Sequence, residues 1–290
     1  MISVLVTGKD SQLALCLKDL EESYPLIDFT FRNSTELDIT SKTSIAHNFK
    51  SKSFDYCVNC AAYTAVDKAE SEPKKAKLVN TIGAKNLALA CKKYNTILIH
   101  ISTDFVFDGK KNEPYLETDI TNPINTYGKT KRDGEIEIVN TISNYIIIRT
   151  SWLYSQYGNN FVKTVLRLSE EKKEINVVNN QFGSPTYAMD LANFICEIID
   201  SKKATFGIFH FANIGCISWF DFAKKIKEIL NLKLNINPVS SINYQTTASR
   251  PNYSVLYTSN TRKVFDTRLD FWTDALQRNF VIVFKNKSFR

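Results

Sequence analysis

Ile2-Ser3-Val4-Leu5-Val6-Thr7-Gly8-Lys9-Asp10-Ser11-Gln12-Leu13-Ala14 begins as a short apolar run, stops at a glycine and continues into an amphipathic segment that lasts to Leu20. The pattern reads as strand, tight turn and helix, the opening of a dinucleotide-binding unit. The turn departs from the full glycine pattern. Gly8 holds the first place, but Ser11 stands where a second glycine would let backbone approach a pyrophosphate, and Ala14 takes the third. Taken alone, this turn is equally an ordinary strand-to-helix loop.

Working outward, Ile27 to Phe31 alternates as a second strand and delivers Arg32 at the place where an adenosine ribose is usually read. An acidic residue there would suit NAD. An arginine either pairs a 2′-phosphate or is simply solvated, which leans the reading toward NADPH over NADH. A helix over Ser44 to Lys50 leads to a third strand, Phe54 to Cys60, and then to the small residues Ala61 and Ala62, followed by Tyr63 and the hydroxyl of Thr64. Small side chains at a strand end let a ligand lie against backbone. A long helix, Lys74 to Tyr94, precedes a fourth strand, Thr96 to Ile101, which presents Ser102 to Gly109 at its carboxyl end; Tyr145 to Ile148 is a fifth strand. This alternation through residue 150 predicts an α/β protein with a doubly wound parallel sheet.

Tyr127-Gly128-Lys129-Thr130-Lys131 places a phenol and an ammonium four residues apart, on one helix face. Asn122 suits the N-cap and Pro123 the first helical position. A nearby cation favours phenolate, so Lys131 is expected to bring Tyr127 toward the neutral range, and Thr103 can donate a hydrogen bond to a carbonyl oxygen. A Tyr and a Lys at this spacing usually only pack and solvate.

The second half reads as a smaller substrate-binding portion. It has a helix from Asn160-Phe161 to Leu168, a return strand Ile175 to Val178, a loop Gln181 to Thr186, and a helix Asp190 to Ile199. A strand Gly207 to Phe211 and a helix capped by Ser218 complete it. Residues 1–150, with 175–200 returning to them, are assigned to dinucleotide binding, and 151–174 with 201–290 to substrate binding. His210 reads as a core histidine, Trp219 and Trp272 as packing residues, and Arg250 as either a diphosphate clamp or a structural ion pair.

Composition sets bounds. The 290 residues are 43% hydrophobic and 23% charged, with a net charge of +7, which suits anionic small ligands. Basic residues are scattered; the densest cluster, Lys285 to Arg290, reads as a solvated tail, so no nucleic-acid partner is expected. The opening apolar run is a strand and not a leader, and no run of about 18 apolar residues predicts a membrane span. Cys57 and Cys60 face opposite sides of one strand, and nothing completes a metal site. The six cysteines read as reduced thiols of a cytoplasmic protein, which is a monomer or homodimer.

An ordered series of motifs now carries a family resemblance. It comprises Asn59 to Glu70, Ser102 to Gly109, Pro123 to Lys131, Gly134-Glu135, Arg149-Thr150-Ser151-Trp152, Gln181 to Thr186 and Arg250-Pro251. The chain resembles the extended short-chain dehydrogenases/reductases, and most of all the dTDP-4-dehydrorhamnose reductase family, over nearly its whole length to about Leu276. The resemblance implies a Rossmann-type fold and reduction of a keto sugar nucleotide by NADPH or NADH. It implies Tyr127 as proton donor, Lys131 as its electrostatic partner and ribose holder, and Thr103 as the grip on the carbonyl. Gly8, Ser11, Gln12 and Leu13 would then line the pyrophosphate, Arg32, Asp38 and Ile39 the adenosine side, and Ala61, Ala62, Tyr63 and Thr64 the cofactor channel. Thr103, Asp104, Phe105, Trp152 and Arg250 would contact the sugar nucleotide, with Phe105 standing where relatives often carry tyrosine. A non-catalytic NADP-binding subunit, similar to the methionine adenosyltransferase β subunit, and a sibling reductase of another keto sugar are the alternatives.

Overall fold

The computed structural model describes residues 1–203 and 205–287, with side chains as far as residue 281, so the basic cluster Lys285 to Arg290 lies outside the described side chains. In chain order the first unit runs β1 (Ile2–Thr7), α1 (Gln12–Asp19), β2 (Ile27–Arg32), α2 (Lys42–Ser51), β3 (Tyr56–Asn59), α3 (Val66–Ser71) and α4 (Pro73–Lys77). It continues with α5 (Ala84–Tyr94), β4 (Ile97–Thr103), α6 (Thr126–Thr141) and β5 (Tyr145–Thr150). The remainder is β6 (Leu153–Tyr154), α7 (Phe161–Glu171), β7 (Glu174–Val178), β8 (Phe182–Gly183), β9 (Thr186–Tyr187), α8 (Ala188–Ser201) and β10 (Gly207–His210). Last come β11 (Ile217–Ser218), α9 (Trp219–Leu230), β12 (Asn235–Val239), α10 (Ser259–Phe265) and α11 (Trp272–Lys287).

Six parallel strands form the central sheet in the order β10-β5-β4-β3-β1-β2. The inner strands are buried on both faces, which is why they read as near-continuous apolar runs. One face packs against α1 and α8 through Leu13, Leu17, Leu191 and Ile195; the other packs against α2, α5 and α6 through Ile45, Leu87 and Ile138. Cys57 and Cys60 belong to these two opposite faces. The winding reverses between β1 and β3, and the crevice at a parallel sheet's carboxyl edge opens at such a reversal. Gly8 makes this junction tight: its φ is +70°, and a Cβ there would meet the backbone nitrogen of Ala61 at 2.7 Å.

Three local features differ from the sequence expectation. The cap of α6 is Asn125, not Asn122: the Asn125 side chain accepts from the Gly128 N–H at 2.7 Å and donates to the Ser249 carbonyl, while Asn122 is spent on Asp108. Pro123 therefore precedes the helix, and the chain enters it extended. The long helix before β4 widens into a π turn at Leu78–Gly83. That turn lets Asn80 bond both backbone groups of Tyr63 and the Thr130 hydroxyl, tying the strand-β3 exit to α6.

The third difference concerns the lobes. The strand expected to return to the main sheet, β7, pairs instead with β12, its partners 61 residues away in sequence, because Val177 packs with Phe222, Ile226 and Leu234. Conversely β10, expected in the smaller portion, is the edge strand of the main sheet, where Phe209 joins the core beside Phe194. Helix α8 does return to the main unit and lies on α1.

Candidate active site

Strand β4 and helix α6 build the reactive end of the crevice. Thr103 closes β4, buried, and its hydroxyl donates to Asp104 Oδ1 at 3.0 Å. Asp104 is 2% exposed, and its Oδ2 has no hydrogen-bond partner among the described residues. Burial raises its pKa to about 6, against the neighbouring hydroxyls of Ser254 and Thr103, which lower it. Helix α6 approaches this turn closely because residue 128 is glycine; a Cβ there would run into the Phe105 carbonyl oxygen.

Tyr127 and Lys131 share a cavity of about 530 Å³ with Thr103, Asp104 and Trp152, and its far wall is the loop and first turn of α1, Asp10 to Leu13. Ala62 and Thr64 also line it. Lys131 is 2% exposed; its ammonium donates to the Ile101 carbonyl at 2.6 Å and lies 3.3 Å from His100 Nε2. Burial brings its pKa down to about 8, with Glu135 and Cys60 opposing. Tyr127 is pushed up to about 12, first by burial and further by Asp104, while the neighbouring Thr103 hydroxyl works the other way. The expectation that Lys131 acidifies this phenol is thus not met: desolvation dominates, and the Lys131 ammonium is held on the Ile101 carbonyl. Tyr127 is a firmly protonated donor, suited to giving a proton to an alkoxide.

Beyond Trp152 lies a second cavity of about 780 Å³, lined by Phe105, Trp219, Tyr244, Arg250 and others from both lobes. Trp152, with φ of +47°, lines both cavities and stacks on Trp219 at 3.5 Å and 8°. Trp219, expected only to pack, is part of that wall. Arg250 binds Asp67 at 2.6 Å, so the ion-pair reading of this arginine is realised while it still faces the cavity.

Several expected cofactor residues stand outside the smaller cavity's lining. Ile39 is buried in the core against Gly83, and Asp38 turns onto Thr40. Arg32 donates to Asn48 and to the Phe31 carbonyl, and Tyr63 bonds Glu72. Gly8 and Ala61 act as the close junction described above. Sequence reasoning missed Asp10, Thr150, Ser151, Gly158 and Asn159 in the cavity wall; Thr150 and Ser151 lie at a strand end beside β4, a position that strand order alone could have flagged. Among the described residues no group of three or more His, Cys, Asp or Glu is placed to hold a metal ion, and no helix is long and apolar enough to cross a membrane.

Comparison with known proteins agrees with this fold. The family profile described as "RmlD substrate binding domain" matches residues 2–283. A dTDP-4-dehydrorhamnose reductase of Sinorhizobium fredii is 39% identical over 282 residues, covering 94% of this chain and 95% of that protein. The spore coat polysaccharide biosynthesis protein SpsK of Bacillus subtilis is 42% identical over 258 residues, covering 88% and 89%. Among solved structures, the dTDP-4-dehydrorhamnose reductase of Bacillus anthracis in complex with NADP superposes with a TM-score of 0.93 at 40% identity, covering 97% of this chain and 99% of that one. With a Rossmann-type sheet, a Thr-Tyr-Lys constellation at its carboxyl edge and these relatives over most of its length, the chain belongs to the dTDP-4-dehydrorhamnose reductase family.

Proposed function

We propose that the chain reduces the C4 keto group of a dTDP-4-keto-6-deoxy sugar, converting dTDP-4-dehydro-L-rhamnose to dTDP-L-rhamnose at the expense of NADPH or NADH. The observation that carries this reading is the convergence of Thr103, Tyr127 and Lys131 on the cavity that also receives the first turn of α1. That cavity suits a dinucleotide: its size is in the range of cofactor sites, a helix start faces it, and a buried ammonium stands ready for ribose hydroxyls. Bound there, a reduced nicotinamide supplies the hydride.

The chain's own residues supply the rest. Tyr127 Oη gives its proton to the carbonyl oxygen as that oxygen becomes an alkoxide, and the high proton affinity that burial imposes keeps the phenol loaded between turnovers. Thr103 orients the oxygen, and Lys131 offsets the charge left on Tyr127. Asp104 Oδ2, buried and unpaired among the described residues, is an acceptor for a sugar hydroxyl. The larger cavity beyond Trp152 takes the nucleotide, with Arg250 beside its diphosphate. The main sheet thus holds the reductant and the β7/β12 lobe the sugar nucleotide. Such an enzyme works with the nucleotide pools of the cytoplasm and feeds polysaccharide assembly.

Tyr127→Phe tests the reading. Turnover of dTDP-4-dehydro-L-rhamnose should fall by at least about 10²-fold, while NADPH titrated by its fluorescence still binds. Unchanged turnover would remove Tyr127 from the chemistry.

A further inference from the structure

Behind the reactive lysine runs a buried chain of hydrogen bonds that the scheme above leaves unused. Thr7 donates from Oγ1 to Asn59 Oδ1 at 2.7 Å, and the backbone N–H of Ala61 donates to the same oxygen at 3.2 Å. The Ala61 N–H can only donate, so the Asn59 amide cannot be turned over: its oxygen faces Thr7 and Ala61, and its NH₂ faces His100 Nδ1 at 3.0 Å. His100 Nδ1 must therefore be the accepting nitrogen. In a neutral imidazole the proton then sits on Nε2, which lies 3.3 Å from Lys131 Nζ. His100 is 1% exposed, and burial followed by the Lys131 charge holds its pKa well below the usual histidine range, so the ring is neutral.

This arrangement aims an N–H at Lys131. An ammonium has no lone pair to receive it, whereas a neutral amine does. We propose that His100, locked in its Nε2–H tautomer by Asn59, is a positioning residue that makes Lys131 a ready proton donor by favouring its amine form. The proposal rests on the reductase reading only for its role in turnover. After Tyr127 has given its proton to the sugar oxygen, one N–H proton passes from Lys131, a helical turn away, to the phenolate; the amine lone pair accepts the His100 Nε2–H while another Lys131 N–H stays on the Ile101 carbonyl, and solvent entering the cavity restores the proton.

The other groups around Lys131 do not substitute for His100. Glu135, one turn further along α6, gives both oxygens to Arg149 and takes the Ser102 hydroxyl as well. Cys60, after β3, is a thiol whose pKa burial raises. Tyr127 is protonated, and Asp104 is bonded to Thr103.

Two measurements decide the matter. Side-chain ¹⁵N NMR of the full chain, which has 3 histidines, should show His100 with a bare Nδ1 and a protonated Nε2 at neutral pH; the opposite tautomer or a charged ring overturns the proposal. In His100→Gln the amide oxygen can turn toward Lys131, so the NMR titration of the Lys131 side chain, and the alkaline limb of kcat/KM for dTDP-4-dehydro-L-rhamnose with NADPH, should both move up by about one pH unit. An unmoved Lys131 titration overturns the proposal. Should His100→Gln fail to fold, the wild-type tautomer decides alone. Absence of wild-type turnover would count against the reductase reading, while the Lys131 titration would still judge His100.

Discussion

Lys131 carries its ammonium where water barely reaches, and stability reports that cost. Its pKa falls from 10.5 to about 8 on folding, so below pH about 8 both states are protonated and the folded chain bears the full penalty. Between about 8 and 10.5 the unfolded chain binds more protons than the folded one, and the penalty is relieved as pH rises. The shift corresponds to on the order of 3 kcal/mol. Lys131→Met should lack this relief: urea unfolding of variant and wild type, compared across that window, should show the wild type gaining on the order of 3 kcal/mol relative to the variant. A constant difference would show that the ammonium is not desolvated. Asp104 has the opposite sense. Its folded pKa, about 6, lies above the ordinary 3.8, so its contribution to stability falls as pH rises through that interval, and Asp104→Asn should flatten that part of the pH–stability curve.

Helix α6 brings Tyr127 to the crevice only because its start and one face are fixed by neighbours. Asn125→Ala removes the cap and the bond to Ser249, and should cost about 1 kcal/mol or more together with most of the turnover. Asn122→Ala, at an exposed contact with Asp108, should stay within about 0.5 kcal/mol of the wild type; thermal melts of the two variants check the assignment. Gly134→Ala should cost about 1–3 kcal/mol, since its Cβ would press on the Asn80 carbonyl oxygen at the π turn. What the sequence revealed and hid follows from the range of the forces involved. Strands β1, β3, β4 and β5 were legible because burial on both faces leaves apolar runs, and α9 because Ser218 and Asp221 form a local capping box. The cap of α6 was misread because Asn122 and Asn125 are equivalent as letters, and a contact 124 residues away at Ser249 selects between them. The β7/β12 pairing was illegible for the same reason: its register is set by packing in the smaller lobe and not by neighbours in sequence. Ile39 was assigned to the cofactor by its place in a motif, whereas its side chain fills space left by Gly83.

At the scale of the molecule, the two lobes meet around the larger cavity, and the Arg250–Asp67 pair spans them at 2.6 Å. Both partners retain solvent, so Arg250→Met should lower stability by less than about 1 kcal/mol. Its effect should be on binding: KM for the sugar nucleotide should rise about tenfold with kcat nearly unchanged, the signature of lost uniform binding. A fall in kcat instead would place the arginine in the chemical step. The wall between the cavities has a broader effect. Because one indole, Trp152, forms a side of each compartment, any coupling between their occupants runs through a shared wall and is reciprocal: if one alters the other's affinity, it does so by an equal factor. Resculpting position 152 for a new sugar would therefore reshape a wall of both compartments at once.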